Sequence, residues 1–150
     1  MDTKSLATLL FDASLPTLEE INNTYPRRDL KEGEKVTRMA PSPTGFMHLG
    51  NLYAALTSER LAHLSGGTFY LRIEDTDQKR EVEGGVQAII DGLSHFGLNF
   101  DEGALVEGEK GIYGPYRQRQ RAKIYQAFAK DLVEKEWRIP ASAPRTSLPI

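Results

Sequence analysis

Apolar positions first fall into short runs. Ser5-Leu6-Ala7-Thr8-Leu9-Leu10-Phe11 and Leu15-Pro16-Thr17-Leu18-Glu19-Glu20-Ile21 predict two short helices, the second with Pro-Thr near its start. A polar connection through Pro26-Arg27-Arg28 and Lys31-Glu32-Gly33 follows, so residues 1–35 read as a helical extension. Val36-Thr37-Arg38-Met39-Ala40 predicts a strand, stopped by Pro41-Ser42-Pro43-Thr44-Gly45, whose prolines and glycine suit neither helix nor ladder. From about Gly50 to Leu64 a helix is predicted, with Leu52, Ala55, Leu56, Leu61 and Leu64 on or near one face and Gly66-Gly67 ending it. Residues 68–74 predict a second strand. Val86, Ile89, Ile90, Leu93 and Phe96 recur at helical spacing over roughly residues 83–96, closed by Gly97. The glycine-rich stretch 103–115 reads as a loop, and residues 118–136, with Ile124, Phe128 and Leu132, as a third amphipathic helix. Strand, helix, strand, helix is the order of a doubly wound α/β sheet.

Composition narrows the class. Hydrophobic residues at 39% and charged residues at 27% lie within the globular range. No apolar run reaches membrane-span length, and the start lacks the basic-then-apolar order of a secretory signal, so a soluble cytoplasmic protein without a membrane partner is expected. The absence of cysteine excludes disulfides, thiolate catalysis and cysteine zinc sites for the chain as written. A net charge of -2 argues against general polyanion binding, so any RNA contact must be local.

The first chemical candidate lies where the strand ending at Ala40 gives way to the predicted helix. Ligands of open α/β sheets bind at the carboxyl ends of strands. Gly50 permits close backbone approach, and exposed amides at a helix start attract phosphate. His48 adds a donor that serves a phosphate oxygen in either protonation state. Alone, such a histidine is more often a cap or simply exposed. In context, the string Arg38-Met39-Ala40-Pro41-Ser42-Pro43-Thr44-Gly45-Phe46-Met47-His48-Leu49-Gly50-Asn51 resembles the adenylate-forming signature of class I aminoacyl-tRNA synthetases, and its Ala-Pro-Ser-Pro-Thr-Gly form is similar to the glutamate–tRNA ligases. Glutamine enzymes usually carry proline and glutamate where this chain has Ala40 and Ser42. Asn51 departs from the family's common histidine, at a position where glutamate enzymes vary. The resemblance implies the first half of a Rossmann-type nucleotide fold, with Pro43, Thr44, Gly45, His48, Gly50 and Asn51 at ATP, the last three also catalytic.

The second candidate is Leu71-Arg72-Ile73-Glu74-Asp75-Thr76-Asp77, acids gathered where a strand runs out. A solvated strand end with Asp75 or Asp77 as a cap is one reading, and a magnesium site is another. Arg-Ile-Glu-Asp-Thr-Asp is also a recurrent block of glutamate–tRNA ligases. By that resemblance Glu74 meets the substrate ammonium, Arg38 the side-chain carboxylate, and Ala40 and Ser42 the rest of the amino acid. A guanidinium fork fits a carboxylate, and left unpaired by an amide it disfavours glutamine. Gly114-Pro115-Tyr116-Arg117-Gln118 resembles the family's opening of an inserted acceptor-end-binding region, which implies a tRNA-end role for Arg117; without it the segment is a turn before a solvated basic helix.

The expected organisation is therefore an extension over 1–35, the first half of the nucleotide fold over 36–112, the start of the inserted region over 113–137 and an irregular tail over 138–150. The family's second half, with its Lys-Met-Ser-Lys-Ser-type loop, does not occur in the sequence. Relatives continue near the tail with Ala-Tyr-Pro-Cys-Phe-Cys-Thr-Glu. Read one base out of frame after Glu134 and Lys135, permitted codons give Gly-Val-Ala-Tyr-Pro-Cys-Phe-Cys-Thr-Glu-Asp-Glu-Leu, so a frameshift is expected, and the missing cysteines follow from it. The resemblance implies an aminoacyl-tRNA ligase using ATP with magnesium, L-glutamate and tRNA, with no resident metal in this stretch and zinc in some full-length relatives. A monomer, inactive alone, is expected. Rival expectations are a shortened paralogue that glutamylates a modified tRNA base, a non-catalytic ATP-binding module and an unstable product.

Overall fold

A computed structural model describes residues 2–135. The expectations for the tail over 138–150, and for a helix end at Glu136, lie outside the described residues. The elements are helices α1 (Thr3–Leu10) and α2 (Leu18–Thr24), strand β1 (Val36–Met39), helix α3 (Leu49–His63), strand β2 (Thr68–Leu71), helix α4 (Gly85–His95), strands β3 (Glu102–Ala104) and β4 (Glu109–Lys110), a 3-10 turn (Gln118–Arg121) and helix α5 (Ala122–Glu134).

They divide into two compact units. One joins residues 2–24 with residues 122–135. There α1 begins at Asp2, whose carboxylate accepts the Ser5 N–H at 2.7 Å, and α1 and α2 both pack on α5. Ala7, Ile21, Ala127 and Val133 are buried between them, whereas Phe128, an expected core position, is 44% exposed.

The other unit is Tyr25–Arg121, built on a sheet in the order β1-β2-β3-β4. The first three strands are parallel and β4 runs antiparallel to β3. Register lines Met39 with Leu71 and Leu71 with Gly103, and in the next row Arg38 with Tyr70 and Tyr70 with Glu102. Side chains alternate along a strand, so the first row faces the core and the second the opposite side. Met39, Phe69, Leu71 and Ile73 pack there with Ala55 and Ala62 of α3 and Ile89 and Leu93 of α4.

Helix α4 packs Val86, Ile89, Ile90 and Leu93 against the core as its spacing predicts, but Phe96, just past its end, is 60% exposed. Helix α3 departs further from its spacing. Its buried stripe is Ala55, Glu59 and Ala62, while Leu56, Leu61 and Leu64 are exposed. Small side chains let the helix lie against β1 and β2, close enough for the Thr37 hydroxyl to donate to the Ser58 carbonyl at 2.6 Å. Three other boundaries differ. The strand expected over 68–74 ends at Leu71, with an isolated bridge from Ile73 to Arg117; the loop expected over 103–115 contains the β3–β4 hairpin; and residues 118–121 form a 3-10 turn before α5.

Two polar clusters tie the sheet unit together. His63, at the end of α3, lies between carboxylates, with Nδ1 at 2.9 Å from Glu59 and Nε2 at 2.9 Å from Asp101, which also accepts the Phe69 N–H. The Asp101 hydrogen bond, with help from Glu59, raises the His63 pKa above its ordinary 6.5. A raised folded-state pKa stabilises fully below the unfolded value, and the effect disappears as pH rises through the folded value. His63→Gln is therefore expected to lower the melting temperature more at about pH 5 than at about pH 9, read by thermal denaturation across that range. The second cluster reaches back into the expected extension. Arg28 donates to both oxygens of Glu102, at 2.7 and 2.5 Å, and its guanidinium lies 3.9 Å from the centre of the Tyr113 ring. The Arg28 hydrogen bond holds the Glu102 carboxyl below its usual range, and burial, aided by Glu102, pushes the Tyr116 hydroxyl up to about 12.

Candidate functional site

Beyond the end of β1 the chain keeps its place by accepting hydrogen bonds where it cannot donate them. The Arg72 N–H reaches the Met39 carbonyl, the Glu74 N–H reaches Pro41 and the Val82 N–H reaches Pro43, each at 2.9 Å. Pro41 and Pro43 have no N–H of their own, so they end the ladder without leaving an orphan donor. Pro43 is buried under the start of α4, where a side chain on Gly85 would come within 2.8 Å of its carbonyl oxygen. The segment is thereby clamped between β2 and α4.

The chain then enters α3 at His48, whose extended backbone (φ -101°, ψ 169°) marks the helix boundary. The Asn51 side-chain oxygen accepts the His48 N–H at 3.2 Å. The first-turn amides and the positive end of the helix dipole lie at this boundary. A Cβ on Gly50 would lie 3.0 Å from the His48 ring, so the missing side chain is the space the imidazole occupies. A cleft of about 490 Å³ is lined by residues 40–42, 44–48 and 51, which brings Ala40, Ser42, Thr44, Gly45, His48 and Asn51 together.

Arg38 and Glu74 do not line that cleft. They form their own pair, 3.8 Å apart, across the carboxyl ends of β1 and β2, with Arg72 also 3.1 Å from Glu74. The Arg38 and Glu74 side chains are 39% and 34% exposed. Arg117 stands elsewhere: it donates to the carbonyls of Leu105 and Val106 and borders a separate cleft at the start of α4.

Two residues take roles here that their sequence pattern did not assign to them. Arg72 backs Glu74. Asp75 is neither a cap nor open to a metal: its side chain is wholly buried, accepts the Arg119 N–H at 2.9 Å and lies 3.8 Å from the Arg119 guanidinium. With the Ile73 N–H on Tyr116 and the Gln118 N–H on Ile73, both at 2.9 Å, it docks the segment containing Arg117 beside β2. The signal in the sequence was the block Arg72-Ile73-Glu74-Asp75 itself, but the partner lies 44 residues away. Asp77 pairs with Arg80 at 2.6 Å. Among the described residues no group of three or more His, Cys, Asp and Glu is placed to hold a metal ion.

The family model of class I tRNA synthetases (E and Q), catalytic domain, matches residues 34–141. The chain belongs to this family. Glutamate–tRNA ligases of Clostridium perfringens (strain 13 / Type A) and Acetivibrio thermocellus are each 58% identical to it, over 136 and 137 residues, covering 90% and 89% of the chain. The chain spans about a quarter of the length of these curated relatives. Among solved structures, a glutamate tRNA ligase from Elizabethkingia meningosepticum in complex with its amino acid matches 69% of the chain at 41% identity with a TM-score of 0.62. A glutamate–tRNA synthetase from Elizabethkingia anophelis matches 67% at 40% identity, also with a TM-score of 0.62. The mostly parallel sheet with its flanking helices is thus part of the Rossmann-type catalytic fold of class I synthetases.

Proposed function

We propose that this chain carries the half-site of a glutamate–tRNA ligase that receives ATP, as its magnesium complex, and L-glutamate, for transfer of glutamate to the 3′ end of tRNA in the full-length protein. The observation that carries the reading is the Arg38–Glu74 pair on adjacent strand ends, beside the cleft that His48 and the start of α3 border. A zwitterion with a side-chain carboxylate complements this pair: its ammonium replaces Arg38 at Glu74 and its carboxylate replaces Glu74 at Arg38. The existing contact is long and partly solvated, so opening it costs little. Arg72 keeps Glu74 in position meanwhile.

At the neighbouring cleft, ATP phosphates meet the α3 amides and His48, while Thr44 and Gly45 pass alongside; Pro43, expected there, is buried under α4 instead. The substrate α-carboxylate attacks the α-phosphorus, the bond from that phosphorus to the bridging oxygen breaks, and pyrophosphate leaves with the electron pair. Charge on the departing pyrophosphate needs cations, and the family's lysine loop does not occur in these 150 residues. Loss of one such electrostatic group costs about a hundred- to a thousandfold in rate. Arg117, docked through Asp75, is assigned to the acceptor end of tRNA.

Calorimetry on the chain with ATP, then glutamate or glutamine, tests the reading. Binding of ATP and preference for glutamate are expected, with no glutamate-dependent ATP–pyrophosphate exchange by the chain alone; equal binding of the two amino acids, or of neither, overturns the amino-acid assignment. Gly50→Ala sharpens the test. Alanine suits a helix better than glycine by about 0.5–1 kcal/mol, so stability should hold or rise, while the new methyl displaces the His48 ring and weakens ATP binding. Unchanged ATP affinity in that variant would remove His48 from the phosphate site.

A further inference from the structure

On the sheet face opposite α3 and α4 lies a second cleft, of about 190 Å³, lined by Val36 together with three arginines, Arg28, Arg72 and Arg121, and three tyrosines, Tyr70, Tyr113 and Tyr116. Among the described residues no carboxylate lines it. The acids that contact its lining residues are already engaged. Glu102 is taken by both arms of Arg28 and by the Tyr116 hydroxyl at 2.7 Å, Glu74 is shared by Arg38 and Arg72, and Glu109 accepts the Tyr116 N–H at 2.5 Å. Arg121 pairs with no carboxylate among the described residues; it donates instead to the carbonyls of Tyr113 and Pro115, at 3.2 and 2.9 Å.

The Nε atoms of Arg72 and Arg121 are both buried without a hydrogen-bond acceptor among the described residues. A buried donor left unmade costs about 1–3 kcal/mol, and more when charged. Two such donors border one small cleft whose walls are fixed: Arg28 stacks on Tyr113, Tyr116 is held by Glu102, and Arg121 is clamped on two carbonyls. Guanidinium groups in fixed positions are the usual receptor for a multiply charged oxyanion, because each N–H meets an oxygen with charge assistance and little ordering remains to be done.

We propose that the cleft between Arg28, Arg72 and Arg121 is a binding site for a phosphate group, distinct from the cleft at the start of α3. The proposal rests on the arginine geometry and not on the ATP reading. Because Arg72 also touches Glu74, a phosphate on its Nε sits directly behind the pair assigned to glutamate. The phosphate has two possible bearers, the free ion or a nucleoside monophosphate whose base would lie on the tyrosines.

The test is a titration of the ¹⁵N-labelled full chain, at constant ionic strength, with inorganic phosphate and separately with adenosine monophosphate, reading the arginine Nε–H resonances. Saturable shifts of Arg72 and Arg121 with phosphate support the site, and saturation at about tenfold lower concentration of the monophosphate makes the bearer a nucleotide. Arg121→Lys, which keeps the charge but loses the fork, is expected to weaken binding about tenfold or more. Resonances that stay unmoved in both titrations, or that move identically with added chloride, overturn the proposal. The unaltered chain decides the question by itself, so a poorly folding variant does not.

Discussion

Arg38→Gln is expected to weaken glutamate binding to the chain by about tenfold to a hundredfold, the worth of a charge-assisted contact to a carboxylate, and to remove the preference for glutamate over glutamine. The cause is local. Arg38 is the cation that the row Arg38–Tyr70–Glu102 places at the carboxyl end of β1, and an amide in its place accepts and donates equally well to either substrate side chain. Stability should change by less than about 1 kcal/mol, because the pair with Glu74 is partly exposed and Glu74 keeps Arg72. Calorimetry of both amino acids against the variant, with a melting curve beside it, reads both effects. Retained preference for glutamate would move the specificity contact away from β1.

Gly103→Ala is expected to unfold the sheet unit, at a cost above about 4 kcal/mol. Gly103 has φ +147°, a conformation that side-chain-bearing residues avoid, and its missing Cβ would lie 2.4 Å from the Leu71 carbonyl oxygen. Relieving that overlap separates β3 from β2, and with β3 goes Glu102, on which Arg28 and Tyr116 converge. Gly97→Ala is the control. Its φ is also positive, at +67°, but no atom of the described residues lies within 4 Å of the added carbon, so the cost is about 1–2 kcal/mol of backbone strain. Circular dichroism melts of the two variants should differ clearly; a near-native melt for Gly103→Ala would mean that the β2–β3 contact yields.

The contrast between helices explains how much of the fold is legible in the sequence. In α4 the contacts are made by bulky residues, Val86, Ile89, Ile90 and Leu93, and bulky residues produce a visible period. In α3 the contact demands small residues so that the helix can lie near the strands, and the conspicuous leucines point elsewhere. The β3–β4 hairpin was hidden for a related reason. Its strands are three and two residues long, and the close approach at Gly103 requires a glycine where a strand is normally recognised by β-branched or aromatic side chains.

The candidate site divides in the same way. Residues 38–51 and 72–77 are continuous segments whose local chemistry, with prolines that only accept, a glycine beneath a histidine and acids at a strand end, is written in consecutive positions. The sequence by itself therefore determined the α/β class and the strand–turn–helix unit, and of the residues it singled out there Ala40, Ser42, Thr44, Gly45, His48 and Asn51 line one cleft, whereas Pro43 and Gly50 do not. It could not determine contacts between distant positions: Arg28 with Glu102 across 74 residues, Asp75 with Arg119 across 44, and the gathering of three arginines on the far face of the sheet. Those depend on parallel register and on the crossing of the chain behind the sheet, which no local period encodes, because a buried polar group takes as its partner whatever group the tertiary fold brings within hydrogen-bond reach.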